Sequence, residues 1–151
     1  SQPYIVALMT QALDLKKNHK ILEIGTGTGY QSSILSLLVR RVYTIERIKS
    51  LQIKAELKFK ELKLTNIVSK HGDGNLGWKE QIPFGRIIFT AATKVISKKF
   101  LDHLSDNGII VAPIMEKSKQ VLKKFTKIKN KILIEKLTNV LFVPNLDGVR
   151  N

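Results

Sequence analysis

The chain has 151 residues and a formal charge of +14, from 26 basic and 12 acidic side chains, with 43% hydrophobic residues and no cysteine. That length suits one domain able to bury roughly two thirds of its unfolded surface. The lack of cysteine excludes disulfides, thiolate metal sites and a cysteine nucleophile, and no apolar run reaches the roughly 20 residues of a membrane span.

The opening "SQPYIVALMTQALDL" sets Ile5, Leu8, Met9, Ala12 and Leu13 on one helical stripe. It lacks the basic start and small-residue cleavage site of a signal peptide, so the expectation is a cytoplasmic protein, with no membrane partner. "HKILEI" reads as a buried strand running into "GTGTGY". Three of the chain's nine glycines fall between Gly25 and Gly29, and glycine clusters mark tight turns or close backbone approach. "YQSSILSLLVR" reads as a helix and "RVYTIE" as a second strand. From Arg47 to Leu64, Ile48, Leu51, Ala55, Phe59 and Leu62 keep the three-and-four spacing of an amphipathic helix. "NIVSKHGDG" is a short strand entering a glycine turn, and "GRIIFTAA" a fourth strand. "KVISKKFLDHLSDNG" is predicted as a helix stopped at Asn107-Gly108, followed by the fifth strand "IIVAPI". The last segments, "QVLKKFTKI", "NKILIEKL" and "NVLFVPNL", have no helix between them and are expected to add antiparallel strands. No repeat or linker divides residues 1–151, which are read as a single domain.

Strand alternating with helix predicts an α/β fold with a mostly parallel sheet covered on both faces. Such sheets bind ligands beyond the carboxyl ends of their strands, where strand order reverses. Strand one ends at the glycines, strand two at Glu46 and strand three at Asp73, all on one edge. The glycine spacing is G-x-G-x-G; Tyr30 occupies the third-glycine position of the dinucleotide fingerprint. A carboxylate at Glu46 suits the two hydroxyls of a ribose. Glu23, just before the turn, adds a second negative charge, which repels a pyrophosphate but suits an ammonium and a sulfonium. Asp73 can accept from an adenine amino group. Together they point to S-adenosylmethionine.

The same segments resemble the protein-L-isoaspartate O-methyltransferases over nearly the whole chain. "SQPYIVALMT", "ILEIGTGTGYQSSILSLLV", "IERIKSLQ", "HGDGNLGW", "PFGRIIFTAA", "NGIIVAPI" and "FVPN" follow that family's order and spacing. The resemblance implies a Rossmann-like S-adenosylmethionine-dependent methyltransferase fold with a seven-stranded sheet. It also implies the activity of a protein-L-isoaspartate(D-aspartate) O-methyltransferase, methylating the free carboxylate of isoaspartyl residues in damaged proteins and peptides. Carried over by position, Ser1 is the active-site serine. Glu23, Gly25, Thr26, Gly27 and Gly29 form the cofactor's glycine loop; Glu46 is its ribose acid, and Asp73 with Gly74 its adenine-side contact. Three features depart from the family. A helical segment normally precedes "SQP", Gly85-Arg86 stands where an aspartate is usual, and Leu141 stands where many bacterial members carry arginine.

Plainer roles stand beside these. Ser1 could cap the helix that starts at Pro3, and Asp73 could serve only its turn. His71 suits a turn or packing role, and Trp78 a partly buried position beneath the adenine-side loop. His19, His71 and His103 lack metal-ligand spacing, so no metal is expected. The lysines at 54, 58, 60 and 63, and those from 117 to 136, are spread as on solvated faces, which disfavours a nucleic-acid partner. A monomer is expected. The rival readings are a methyltransferase for another acceptor such as RNA, which the charge would recruit, and a reduced cofactor-binding domain without turnover.

Overall fold

The computed structural model describes residues 2–151. In chain order the elements are α1 (Pro3–Ala12), β1 (Lys20–Ile24), α2 (Tyr30–Ser36), β2 (Arg41–Glu46), α3 (Lys49–Glu61), β3 (Ile67–His71), β4 (Phe84–Phe89), α4 (Lys98–His103), β5 (Leu104–Glu116), β6 (Lys119–Ile128) and β7 (Lys131–Val140). Two single-turn 3-10 helices, Gly74–Leu76 and Lys79–Gln81, lie between β3 and β4. The strands form one sheet in the order β3-β2-β1-β4-β5-β6-β7. Strands β1 to β5 run parallel, while β6 and β7 are antiparallel additions. This is the predicted α/β architecture with its seven strands.

The parallel strands read as continuous apolar runs because both faces of the sheet are covered. On one face Leu22, Tyr43, Ile87, Phe89, Phe100 and Ile110 pack together. On the other, Met9 and Leu13 of the first helical stretch meet Ile21, Val42, Ile88 and Val111. Chain order reverses between β1 and β4, so the loop after β1 opens at the switch point.

Two boundaries differ from expectation. The helix predicted from Lys94 to Gly108 is confined to α4, because Leu104 leaves it to pair with Phe84 at the start of β5. Ser105 Oγ donates to Phe84 O, and the Lys127 ammonium donates to the Leu101 and Leu104 carbonyls that the short helix leaves free. Asn107-Gly108 then lies in a bulge within β5 where the β4–β5 register shifts, with Asn107 at φ 62°. The predicted strand over residues 139–146 contributes only Asn139 and Val140, to β7. Beyond it the Gln120 amide takes both backbone groups of Phe142, at 2.7 and 3.0 Å. Residues 143–145 then leave the β6 ladder and bond to Ala92 at the end of β4.

Asn66 closes the bottom of the α2–β2 connection: its Nδ2 donates to the carbonyls of Ser36 (2.8 Å) and Val39 (3.1 Å). Asn66→Ala leaves those acceptors without their partner and is expected to lower stability by about 1–3 kcal/mol in denaturant unfolding.

Candidate active site

The loop after β1 carries the glycine cluster to the carboxyl edge. Gly25 N–H donates to Ile45 O and Thr90 N–H to Ile24 O, so the loop starts between the ends of β2 and β4. Gly29 opens α2 at φ 84°, where a Cβ would lie 2.7 Å from the Phe59 ring of α3. A side chain there meets both backbone strain and an occupied core. At Gly27 a Cβ would find nothing within 4 Å, so this part of the loop faces open space.

Glu46, at the end of β2, fastens that loop. Its Oε2 accepts from Gly27 N–H at 2.8 Å and its Oε1 from Ile48 N–H at 2.9 Å. Each oxygen keeps a further acceptor site, since a carboxylate has about four. The side chain is only 5% exposed, so its position is set by these two donors and by packing.

Glu23 lies beneath the loop, fully buried, with Thr44 and Ile88 as its neighbours across the sheet. Its Oε1 accepts from the Ser32 hydroxyl and, at 2.6 Å, from Thr44 Oγ1. Thr44 Oγ1 is also 2.6 Å from Thr26 Oγ1. Since Thr44 has one hydroxyl proton and gives it to Glu23, Thr26 is the donor to Thr44. Glu23 Oε2 is buried without a partner among the described residues. Burial pushes the carboxyl up to about 7, against the lowering effect of the Ser32 and Thr44 hydroxyls, and the nearby Glu46 charge adds to the rise.

Asp73 begins the loop that follows β3. Its Oδ1 accepts from Asn75 N–H at 2.9 Å, capping the first 3-10 turn, and its Oδ2 from Gly148 N–H at 2.8 Å. Gly74 packs so closely that a Cβ would meet Ile24 Cγ2 at 2.5 Å. The C-terminal residues therefore form part of this edge. Asn145 and Asp147 bond to the Asn75 side chain at 2.6 Å each, and Arg150 O accepts from Lys49 N–H at 2.8 Å.

The structure thus brings Glu23, Gly25, Thr26, Gly27, Gly29, Glu46, Asp73 and Gly74 to one end of the sheet, while Ser1 lies outside the described residues. Sequence reasoning did not single out Ser32, Thr44, Thr90 or the residues around Gly148. Thr44 could have been noticed as the one polar side chain inside the apolar stretch "VYTI"; the tail had no signal, because it bonds mainly through backbone. His71 Nε2 sits 3.1 Å from Arg47 O, in a packing role. Trp78 stands edge-on to Tyr43 at 5.2 Å, with the Lys70 ammonium 4.9 Å from its ring. Arg86, one of the family departures, is on the opposite edge, donating to the carbonyls of Leu13, Gly85 and Asp14. It cannot disturb the carboxyl-edge loops directly. Among the described residues no group of three His, Asp or Glu side chains is placed to hold a metal, and no helix is long and apolar enough to cross a membrane.

A parallel sheet with a glycine turn after β1 and an acid ending β2 is common to Rossmann-like folds; the G-x-G-x-G spacing and the antiparallel β6 and β7 place this chain with the methyltransferases among them. One solved protein-L-isoaspartate O-methyltransferase superposes with a TM-score of 0.91 at 25% identity, over all of this chain and 49% of that one. A Plasmodium falciparum homologue of the same description, solved with S-adenosyl-L-homocysteine, gives 0.83 at 27% identity, over 97% of this chain and 75% of that one. The family profile described as protein-L-isoaspartate(D-aspartate) O-methyltransferase matches residues 1–150. Relatives named protein-L-isoaspartate O-methyltransferase are 49% identical in Maricaulis maris, over 98% of this chain and 70% of theirs, and 47% identical in Helicobacter pylori, over 99% and 72%. The chain belongs to the protein-L-isoaspartate(D-aspartate) O-methyltransferase family.

The residues present fit the family's cofactor, S-adenosylmethionine. Acceptors for ribose hydroxyls remain on Glu46, space is open over Gly27, and a buried carboxylate oxygen lacks a partner at Glu23. Two acids with no basic side chain in the glycine loop disfavour a pyrophosphate.

The Glu23 carboxyl gives the ligand-free protein a pH signature. Between 4.5, its ordinary value, and about 7 the folded state holds a proton that the unfolded chain has released. Stability therefore falls as pH rises through that window, by about 3 kcal/mol in total. Unfolding midpoints measured from pH 4.5 to 8 should show this decline, and Glu23→Gln should remove most of it.

Proposed function

We propose that residues 1–151 act as one methyltransferase domain, moving a methyl group from S-adenosylmethionine to the free carboxylate of an isoaspartyl residue in an altered protein. The observation that carries this reading is the Glu46 carboxylate at the end of β2, held by Gly27 and Ile48 with acceptor capacity to spare. Membership of the family supports the choice of acceptor.

When bound, S-adenosylmethionine supplies an electrophilic methyl carbon on a positively charged sulfur. The chain's own residues then bind and align. Glu46 accepts from the ribose hydroxyls, Asp73 and Gly74 flank the adenine, and Gly25, Thr26, Gly27 and Gly29 let the loop backbone approach the amino-acid portion, with Glu23 behind it. An acceptor carboxylate with a pKa near 4 is already ionised at neutral pH, so its oxygen needs no general base. Rate enhancement then comes from holding nucleophile and methyl carbon in line. Ser1 is assigned by resemblance the hydrogen bond that orients the incoming carboxylate. A groove of about 470 Å³ between α1 and the end of β7, lined by Gln2, Ile5, Leu141 and Phe142 among others, offers apolar surface to residues flanking the acceptor. Once methylated, the ester carbonyl is a better electrophile than the carboxylate was, and attack by the following residue's amide nitrogen expels methanol and gives a succinimide.

Incubation with labelled S-adenosylmethionine and an isoaspartyl peptide should yield a base-labile methyl ester, with the matching aspartyl peptide unlabelled. Label entering total RNA and not the peptide overturns the assignment of acceptor. Glu46→Ala, which removes the ribose acceptors and frees the Gly27 loop, should weaken S-adenosylhomocysteine binding about tenfold or more in calorimetry; each lost charged hydrogen bond is worth about 1.5–3 kcal/mol.

A further inference from the structure

The amino edge of the sheet, opposite the glycine loop, carries cations that the fold does not neutralise. Two connections meet there: residues 37–40 lead from α2 into β2, and residues 62–66 from α3 into β3. Asn66 ties them together, its Nδ2 donating to the carbonyls of Ser36, Val39 and Arg40. Arg40 N–H in turn donates to His19 O, just ahead of β1, at 3.1 Å. Lys63 turns the end of α3 at φ 56°, a left-handed position that more often falls to glycine. Lys20 stands beside Arg41 in the β1–β2 register. Lys17, Lys20, Arg40, Arg41 and Lys63 form no ion pair with a described residue. Asp14, in the α1–β1 connection, and Glu61, at the end of α3, are already paired with Lys16 and Lys58 at 3.0 and 3.1 Å.

Leucines stand among these cations. Leu37 is 71% exposed, Leu38 42% and Leu62 51%, all in the same two connections. A single exposed leucine is ordinary; three beside unpaired cations make an edge that is basic and apolar at once. Nucleic-acid phosphates would take the cations and leave the leucines in water. A second copy of this edge would be repelled by its like charge. An anionic bilayer satisfies both features, since headgroups meet the cations and the acyl boundary takes the leucines.

We propose that this edge is a peripheral docking surface for anionic lipid bilayers, with Arg40, Arg41 and Lys63 on the headgroups and Leu37, Leu38 and Leu62 entering the acyl boundary. Neither a spanning helix nor a leader is needed for such a contact. Asn66 holds the two connections in one arrangement, so the cations and leucines are presented together. Glu46 and the Gly27 loop lie at the other end of the strands and stay open to solvent when the amino edge is docked. The surface is independent of the cofactor reading.

The test is flotation of the chain with vesicles of phosphatidylcholine and phosphatidylglycerol in equal parts, beside vesicles of phosphatidylcholine alone. Binding should appear on the anionic vesicles only and fall as salt rises, because exposed charges are screened. Arg40→Gln combined with Arg41→Gln should weaken it about thirtyfold. Leu37→Ser combined with Leu38→Ser should weaken it about tenfold and keep the salt dependence. All four positions are exposed, and unfolding midpoints check that the variants remain folded. Lys117→Gln combined with Lys119→Gln removes the same charge from the β5–β6 turn at the opposite edge and should leave binding unchanged. Equal weakening by that pair means that net charge alone is at work and overturns the inference. Equal binding to the neutral vesicles, or none to either, overturns it as well. A leucine pair without effect overturns the choice of a bilayer; single-stranded RNA that then binds, and is lost with the arginine pair, makes the edge a nucleic-acid surface instead.

Discussion

The Glu46 carboxylate is the hinge of the site. It ends β2, yet it holds the loop that follows β1 through Gly27 N–H and the start of the next helix through Ile48 N–H. One side chain therefore fixes two loops that a parallel sheet would otherwise leave open at its carboxyl edge. Its low exposure keeps water from competing for those bonds. The Gly27 region, with no neighbour above it, can then face a ligand without collapsing into the space.

A second layer lies beneath the first. Ser32, Thr44 and Thr26 surround Glu23 with hydroxyls and no cation, so the loop rests on a polar network sealed within an apolar sheet. Buried networks of this kind strengthen their members when every group is satisfied and penalise the fold when one is not. Glu23 Oε2 is the member of this network left without a partner among the described residues. The loop after β3 is organised differently: Asp73 caps its own turn and takes the Gly148 N–H, so the C-terminal residues are stitched to the same edge.

The family departures separate by location. Arg86 stands near the amino end of β4 and donates to the Leu13 and Asp14 carbonyls just after α1 and to Gly85 on its own strand, a packing role remote from the loops. Leu141 is 92% exposed beside the groove near the first residues. Its apolar side chain belongs to that groove and leaves the loops after β1, β2 and β3 untouched.

Sequence alone determined the order of elements, the parallel core and the convergence of Glu23, the glycines, Glu46 and Asp73 on one edge. Those features follow from local periodicity and from the rule that successive parallel strands end on the same side. Tertiary structure decided what local pattern cannot encode. Leu104 was taken from a predicted helix because Phe84 offered it a strand partner. Residues 143–145 leave the ladder for Ala92 where the Gln120 side chain takes both backbone groups of Phe142. Glu23, readable as an acid beside a turn, became a buried carboxyl near neutrality only when β2, β4 and α2 closed around it, since desolvation depends on neighbours distant in sequence.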